Sequence, residues 1–126
     1  MNRRIQIRVL SRAAFAFALL LTLYFTTTAN EPGIASVIND KVSHALAFLV
    51  LAFLGDISFP QARFVLPIAC GLAAYGMLIE CIQYFLPYRS FSLLDFAADL
   101  LGISVYFISQ PFLLRYERFR QIKIQD

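Results

Sequence analysis

Four runs of apolar residues constrain this chain more than any other feature, because each is close to the ~20 residues that a helix needs to cross the hydrocarbon layer of a bilayer. They cover about residues 9–28, 41–58, 64–86 and 92–113. Turn-prone FPQAR (59–63) and PYRS (87–90) separate the last three. Hydrophobic residues make up 60% of the 126 and charged residues 15%, a balance that fits lipid as solvent better than water. The expected fold is a single all-α domain, 1–126, forming a four-helix transmembrane bundle. The first run also admits a second reading, a cleaved signal peptide, since an arginine-rich start precedes it and TTA (27–29) follows it.

The basic residues set the expected orientation. Arg3, Arg4, Arg8 and Arg12 lie at one end of the chain, Arg115, Arg118, Arg120 and Lys123 at the other, and Arg63 between the second and third runs. Only Lys41 and Arg89 fall in the remaining connections. The positive-inside tendency places both termini in the cytoplasm. The net charge of +3 is accounted for by these flanks, and nucleic acid is excluded as a partner. Cys70 and Cys81 are eleven residues apart on one run. At ~1.5 Å per helical residue they are roughly 16 Å apart, too far for a disulfide, and are expected to be packing thiols, or free thiols at most.

With this orientation the second and fourth helices begin, and the third ends, at the outer surface. Asp40 and His44, Glu80 and Gln83, and Asp95 and Asp99 then share one leaflet, with Arg89 above them. His44, Gln83 and Asp95 sit roughly 3 to 6 Å inside the helix ends, Glu80 and Asp99 roughly 9 to 11 Å inside. Helical phase aligns Glu80 and Gln83 with Ala69, Ala73 and Gly76; Asp95 and Asp99 with Gly102, Tyr106 and Ser109; and Asp40 and His44 with Ala47 and Leu51. Small residues beneath polar ones mark faces where membrane helices pack, so an outward-facing, two-layer polar pocket is expected. An ionised carboxylate at mid-membrane costs about 2.5 to 3.5 kcal/mol. Arg89, His44, Gln83, a shared proton or a bound cation must offset it.

Structural roles compete with this reading. Ser92 and Asp95 have capping-box spacing, Asn39 or Asp40 would cap the second helix, and Lys41 fits a snorkelling anchor. Arg89 could be an interfacial anchor or the counter-ion of Glu80. Glu80 has no cap or turn to serve, and the helix dipole disfavours an anion near a C-terminus.

DKVSH (40–44), IECIQYFLPYR (79–89) and SLLDFAADLLG (92–102) resemble, in order and spacing, the three motifs of the VanZ-like membrane proteins. The resemblance covers about residues 40–110 and implies that Asp40, Lys41, His44, Glu80, Gln83, Pro87, Arg89, Ser92, Asp95 and Gly102 hold motif positions. Asp99 departs from it, as the family usually has asparagine there. The resemblance implies a multi-pass protein of the bacterial cytoplasmic (inner) membrane with a role in the cell envelope. The family's namesake is associated with teicoplanin resistance, which names no reaction.

Three functions are compatible with these residues. In the first, Asp40, Lys41, His44, Glu80, Gln83, Arg89, Asp95 and Asp99 bind a lipid head group or a lipid-linked envelope precursor. In the second, a metal-dependent enzyme acts on a lipid-linked substrate, with His44 or Glu80 as general acid or base. Glu80, Asp95 and Asp99 would then hold Mg²⁺ or Mn²⁺. In the third, an oligomer of the chain is a proton- or ion-coupled carrier that titrates at Glu80 and Asp99. The sequence does not decide whether a reaction is catalysed.

Overall fold

The computed structural model describes residues 2–28, 34–116 and 120–121. Four α-helices follow one another: α1 (Arg3–Thr27), α2 (Ile34–Ser58), α3 (Val65–Phe85) and α4 (Leu93–Leu113), with a 3₁₀ turn at Ala62–Phe64 ahead of α3. No strand occurs among the described residues. All four helices are long and apolar enough to cross a membrane, so the all-α four-helix reading stands. Four passes put the start of α1 and the end of α4 at one end of the bundle, here the lower end. The upper end gathers the start of α2, the end of α3 and the start of α4. Arg118 and Lys123, counted in the orientation argument, lie outside the described residues.

Two helix starts differ from expectation. α1 begins at Arg3 rather than near residue 9, because Asn2 caps it, its side chain accepting from the Arg4 N–H at 3.3 Å. The arginines that flank the apolar run are good helix formers and extend it. α2 begins at Ile34, so Asn39 and Asp40 stand inside a continuing helix and neither is its N-cap. α3 and α4 match their apolar runs within about a residue. Pro67 is tolerated in the first turn of α3, where a missing N–H breaks no helical bond.

α2 and α4 approach at Gly102. A Cβ there would collide with the carbonyl oxygen of Ala45 and lie 3.0 Å from the Leu49 nitrogen, so only hydrogen fits, as in close helix packing within lipid. Phe48, Leu51, Ala52, Leu72, Ile79, Ile103 and Tyr106 form the buried core. α1 is tied on through its own carbonyls. Tyr75 Oη donates to Leu19 O (2.5 Å), Gln83 Nε2 to Thr26 O (2.7 Å), Tyr88 Oη to Thr27 O (2.8 Å) and Arg89 Nη2 to Thr28 O (2.9 Å). The first apolar run is thus a packed member of the bundle. Large apolar side chains such as Leu10, Leu66 and Phe85 face outward, as expected where lipid is the solvent. Cys70 and Cys81 are exposed with them and are free thiols, the second of the two expected readings.

Candidate functional site

Three helices each send one buried side chain to a common point in the upper half of the bundle: His44 from α2, Glu80 from α3 and Asp99 from α4. Glu80 and Asp99 are fully buried and His44 nearly so. One ligand atom from each lies within 4.8 Å of those of the other two. His44 Nδ1 is 2.8 Å from Asp99 Oδ1. Which of the two atoms donates follows from the imidazole tautomer, and the second ring nitrogen, Nε2, makes no hydrogen bond. Glycine makes room for this arrangement, since a Cβ on Gly76 would stand 2.8 Å from Asp99 Oδ2.

Glu80 has a structural duty that its position in the sequence did not disclose. Its Oε2 accepts from the Ser92 N–H at 2.9 Å, while Ser92 Oγ accepts from the Asp95 N–H at 3.3 Å as the cap of α4. The expected capping box is therefore split. Glu80 takes the backbone N–H that Asp95 would have taken, and the Asp95 carboxylate is free to pair with Lys41 Nζ at 2.8 Å. Lys41 accordingly has an ion-pair partner on α4. Arg89 is not the counter-ion of Glu80. Its guanidinium donates to Thr28 O and Phe25 O, with Nη1 3.6 Å from Asp40 Oδ1. These pairs lie above the trio, toward the upper end. Gln83 is buried but turned toward α1, where it holds Thr26 O.

The expected residues thus divide into three groups. His44, Glu80 and Asp99 meet at depth. Asp40, Lys41, Arg89 and Asp95 form two ion pairs above them, and Gln83 joins helices. An open groove of about 570 Å³ between α1 and α2 runs from Asp40, Ser43 and His44 down along Ala18, Leu21 and Val50, so its polar residues sit at the top and its floor is apolar.

Among the described residues, the buried side-chain atoms without a hydrogen-bond partner are His44 Nε2, Glu80 Oε1 and Asp99 Oδ2, one from each member of the trio. Two carboxylates this close in a low-dielectric interior repel, and a cation between them relieves the repulsion. Two carboxylate oxygens and one imidazole nitrogen from three helices form a donor set for a hard divalent ion.

Buried polar residues also occur at the lower end. At the lower end Asp56 is fully buried, and its Oδ2 accepts from Tyr106 Oη (2.6 Å) and Gln110 Nε2 (2.8 Å). Beside it Arg12 Nε donates to Ser58 O at 3.2 Å. The i+4 ladder His44, Phe48, Ala52, Asp56, three steps of one buried face, is the signal that could have revealed it.

No family model matches the chain, and no solved structure matches it. An uncharacterized protein of the fission yeast Schizosaccharomyces pombe, C11E3.10, is 32% identical over 117 residues, which cover 90% of this chain and 69% of the yeast protein. That likeness to a eukaryotic protein overturns the bacterial cell-envelope function expected from sequence, together with its envelope-precursor ligand. What stands of the location is a chain with four helices able to cross a membrane.

Proposed function

The chain belongs to the family of the fission yeast protein C11E3.10, and we propose that it is a multi-pass membrane protein that binds a hard divalent cation between His44, Glu80 and Asp99. One observation carries this reading: the unpartnered buried polar atoms among the described residues all belong to those three side chains, whose ligand atoms converge within 4.8 Å. Each unsatisfied buried group costs about 1–3 kcal/mol, and more when charged. A single ion between the two carboxylates would satisfy both Glu80 Oε1 and Asp99 Oδ2. His44 Nδ1, 2.8 Å from Asp99 Oδ1, is the ring nitrogen that faces the Asp99 carboxylate, so an ion shared with Asp99 would take the place of that hydrogen bond and be held through Nδ1. A mostly oxygen donor set with one nitrogen favours Mg²⁺ or Mn²⁺ over zinc, and positions beyond the three protein ligands stay open to water or to a further ligand.

The VanZ-like resemblance belongs to this proposal as well. It is supported by the trio taking one residue from each of the three motif segments. At Asp99 the carboxylate, where asparagine is usual in those proteins, adds the charge that a cation site needs.

The test is Mn²⁺ binding to the full-length chain in detergent, followed by the loss of the free-ion signal. One Mn²⁺ per chain is expected, with affinity reduced at least about tenfold in Glu80→Gln and unchanged in Gln83→Leu, whose side chain serves α1. Equal affinity in Glu80→Gln and wild type would overturn the reading.

A further inference from the structure

A second trio, Asp40, His44 and Asp95, also brings its ligand atoms within 4.8 Å of one another. It lies above the first and shares His44 with it, and the ring of His44 keeps a buried, unpartnered nitrogen. The two trios differ in how their charge is balanced. Below, Glu80 accepts from the Ser92 N–H and Asp99 pairs with the imidazole, and among the described residues no lysine or arginine pairs with either. Above, each carboxylate has a cation from the protein itself: Lys41 Nζ at 2.8 Å from Asp95 and Arg89 Nη1 at 3.6 Å from Asp40.

Those two cations are not equally fixed. Arg89 is held by the carbonyls of Thr28 and Phe25 and its side chain is 11% exposed. Lys41 has Asp95 as its partner, its side chain is 33% exposed, and an ammonium on a flexible stem leaves a carboxylate more readily than a forked guanidinium. The groove between α1 and α2 has an apolar floor, which an ion would not cross. The upper trio is the polar way in.

We propose that Asp40, His44 and Asp95 form the entrance position for a divalent cation bound for the deeper trio, and that Lys41 is a tethered competitor which occupies this position until the ion displaces it. The inference rests on the deeper site binding a cation. With Lys41 and Arg89 in place the upper carboxylates are neutralised and exert little pull on an arriving ion. Removing the ammonium leaves one uncompensated negative charge at the mouth, and His44 then passes the ion from one trio to the other.

The experiment measures the rate of Mn²⁺ uptake by the full-length chain in detergent, from the decay of the free Mn²⁺ signal after rapid mixing at low ionic strength. Lys41→Met should take up Mn²⁺ about tenfold faster than wild type, and the gain should shrink as salt is raised. Lys41→Arg, which keeps the charge on a more rigid fork, should be slower than wild type. In an Asp95→Asn background Lys41→Met should change nothing, because the competed carboxylate is gone. Equal uptake rates in wild type, Lys41→Met and Lys41→Arg would overturn the entrance role. If Glu80→Gln still weakens equilibrium binding in that case, the deeper site survives. A wild type that binds no Mn²⁺ overturns both.

Discussion

Replacing glycine by alanine at two positions of this bundle should move stability in opposite directions. In a helix the exchange gains about 0.5–1 kcal/mol from backbone entropy alone. At Gly71 a new Cβ would meet nothing within 4 Å, so Gly71→Ala should keep that gain. At Gly102 the Cβ would run into the carbonyl oxygen of Ala45, with the Leu49 nitrogen 3.0 Å away. Both obstacles are backbone and cannot turn aside as a side chain would, so α2 and α4 must separate. Overpacking of this kind costs about 1–3 kcal/mol. Because the entropy gain is common to both variants, the difference between them isolates the overpacking term. Gly102→Ala should be less stable than Gly71→Ala by about 1–3 kcal/mol, measured by reversible unfolding in mixed micelles. Since α2 carries His44 and α4 carries Asp99, the less stable variant should also bind Mn²⁺ more weakly. Equal stability of the two variants would refute the close crossing of α2 and α4.

Further substitutions separate structural from site residues. Ser92→Ala removes the α4 cap and should cost about 1 kcal/mol, yet leave Mn²⁺ affinity near wild type, because Glu80 bonds the backbone N–H at position 92, which alanine retains. Tyr106→Phe deletes a donor to the buried Asp56 and should destabilise by about 1–3 kcal/mol, read by the same unfolding assay, again without changing cation binding at the opposite end of the bundle. Gln83→Leu breaks the bond to Thr26 O and should cost about 0.5–1.5 kcal/mol; protease accessibility of α1 should rise with it.

Much of the architecture was legible because a bilayer leaves helices as the simple solution for an apolar run of span length. What failed was local. α2 extends through Asn39 and Asp40, which look like caps only if the helix is assumed to start where hydropathy rises. Pairings across helices were misread for a similar reason, since depth and phase give a shared height and face but not which carboxylate takes which cation. Glu80 therefore looked free of structural duty although it caps the Ser92 N–H, and of the two readings of Arg89, interfacial anchor or counter-ion of Glu80, neither foresaw that α1 carbonyls and Asp40 hold it. Asp56 escaped notice because it stands near the end of its apolar run, where a carboxylate reads as solvated loop. Its partners Tyr106 and Gln110 are 50 and 54 residues away in sequence.

The chain contains a single histidine, and this makes one spectroscopic measurement decisive. When Mn²⁺ is bound to protein carrying no histidine tag, pulsed electron paramagnetic resonance should detect a directly coordinated imidazole nitrogen, and that signal can come only from His44. Retained Mn²⁺ binding with no nitrogen coupling would place the ion elsewhere and contradict the intramembrane trio.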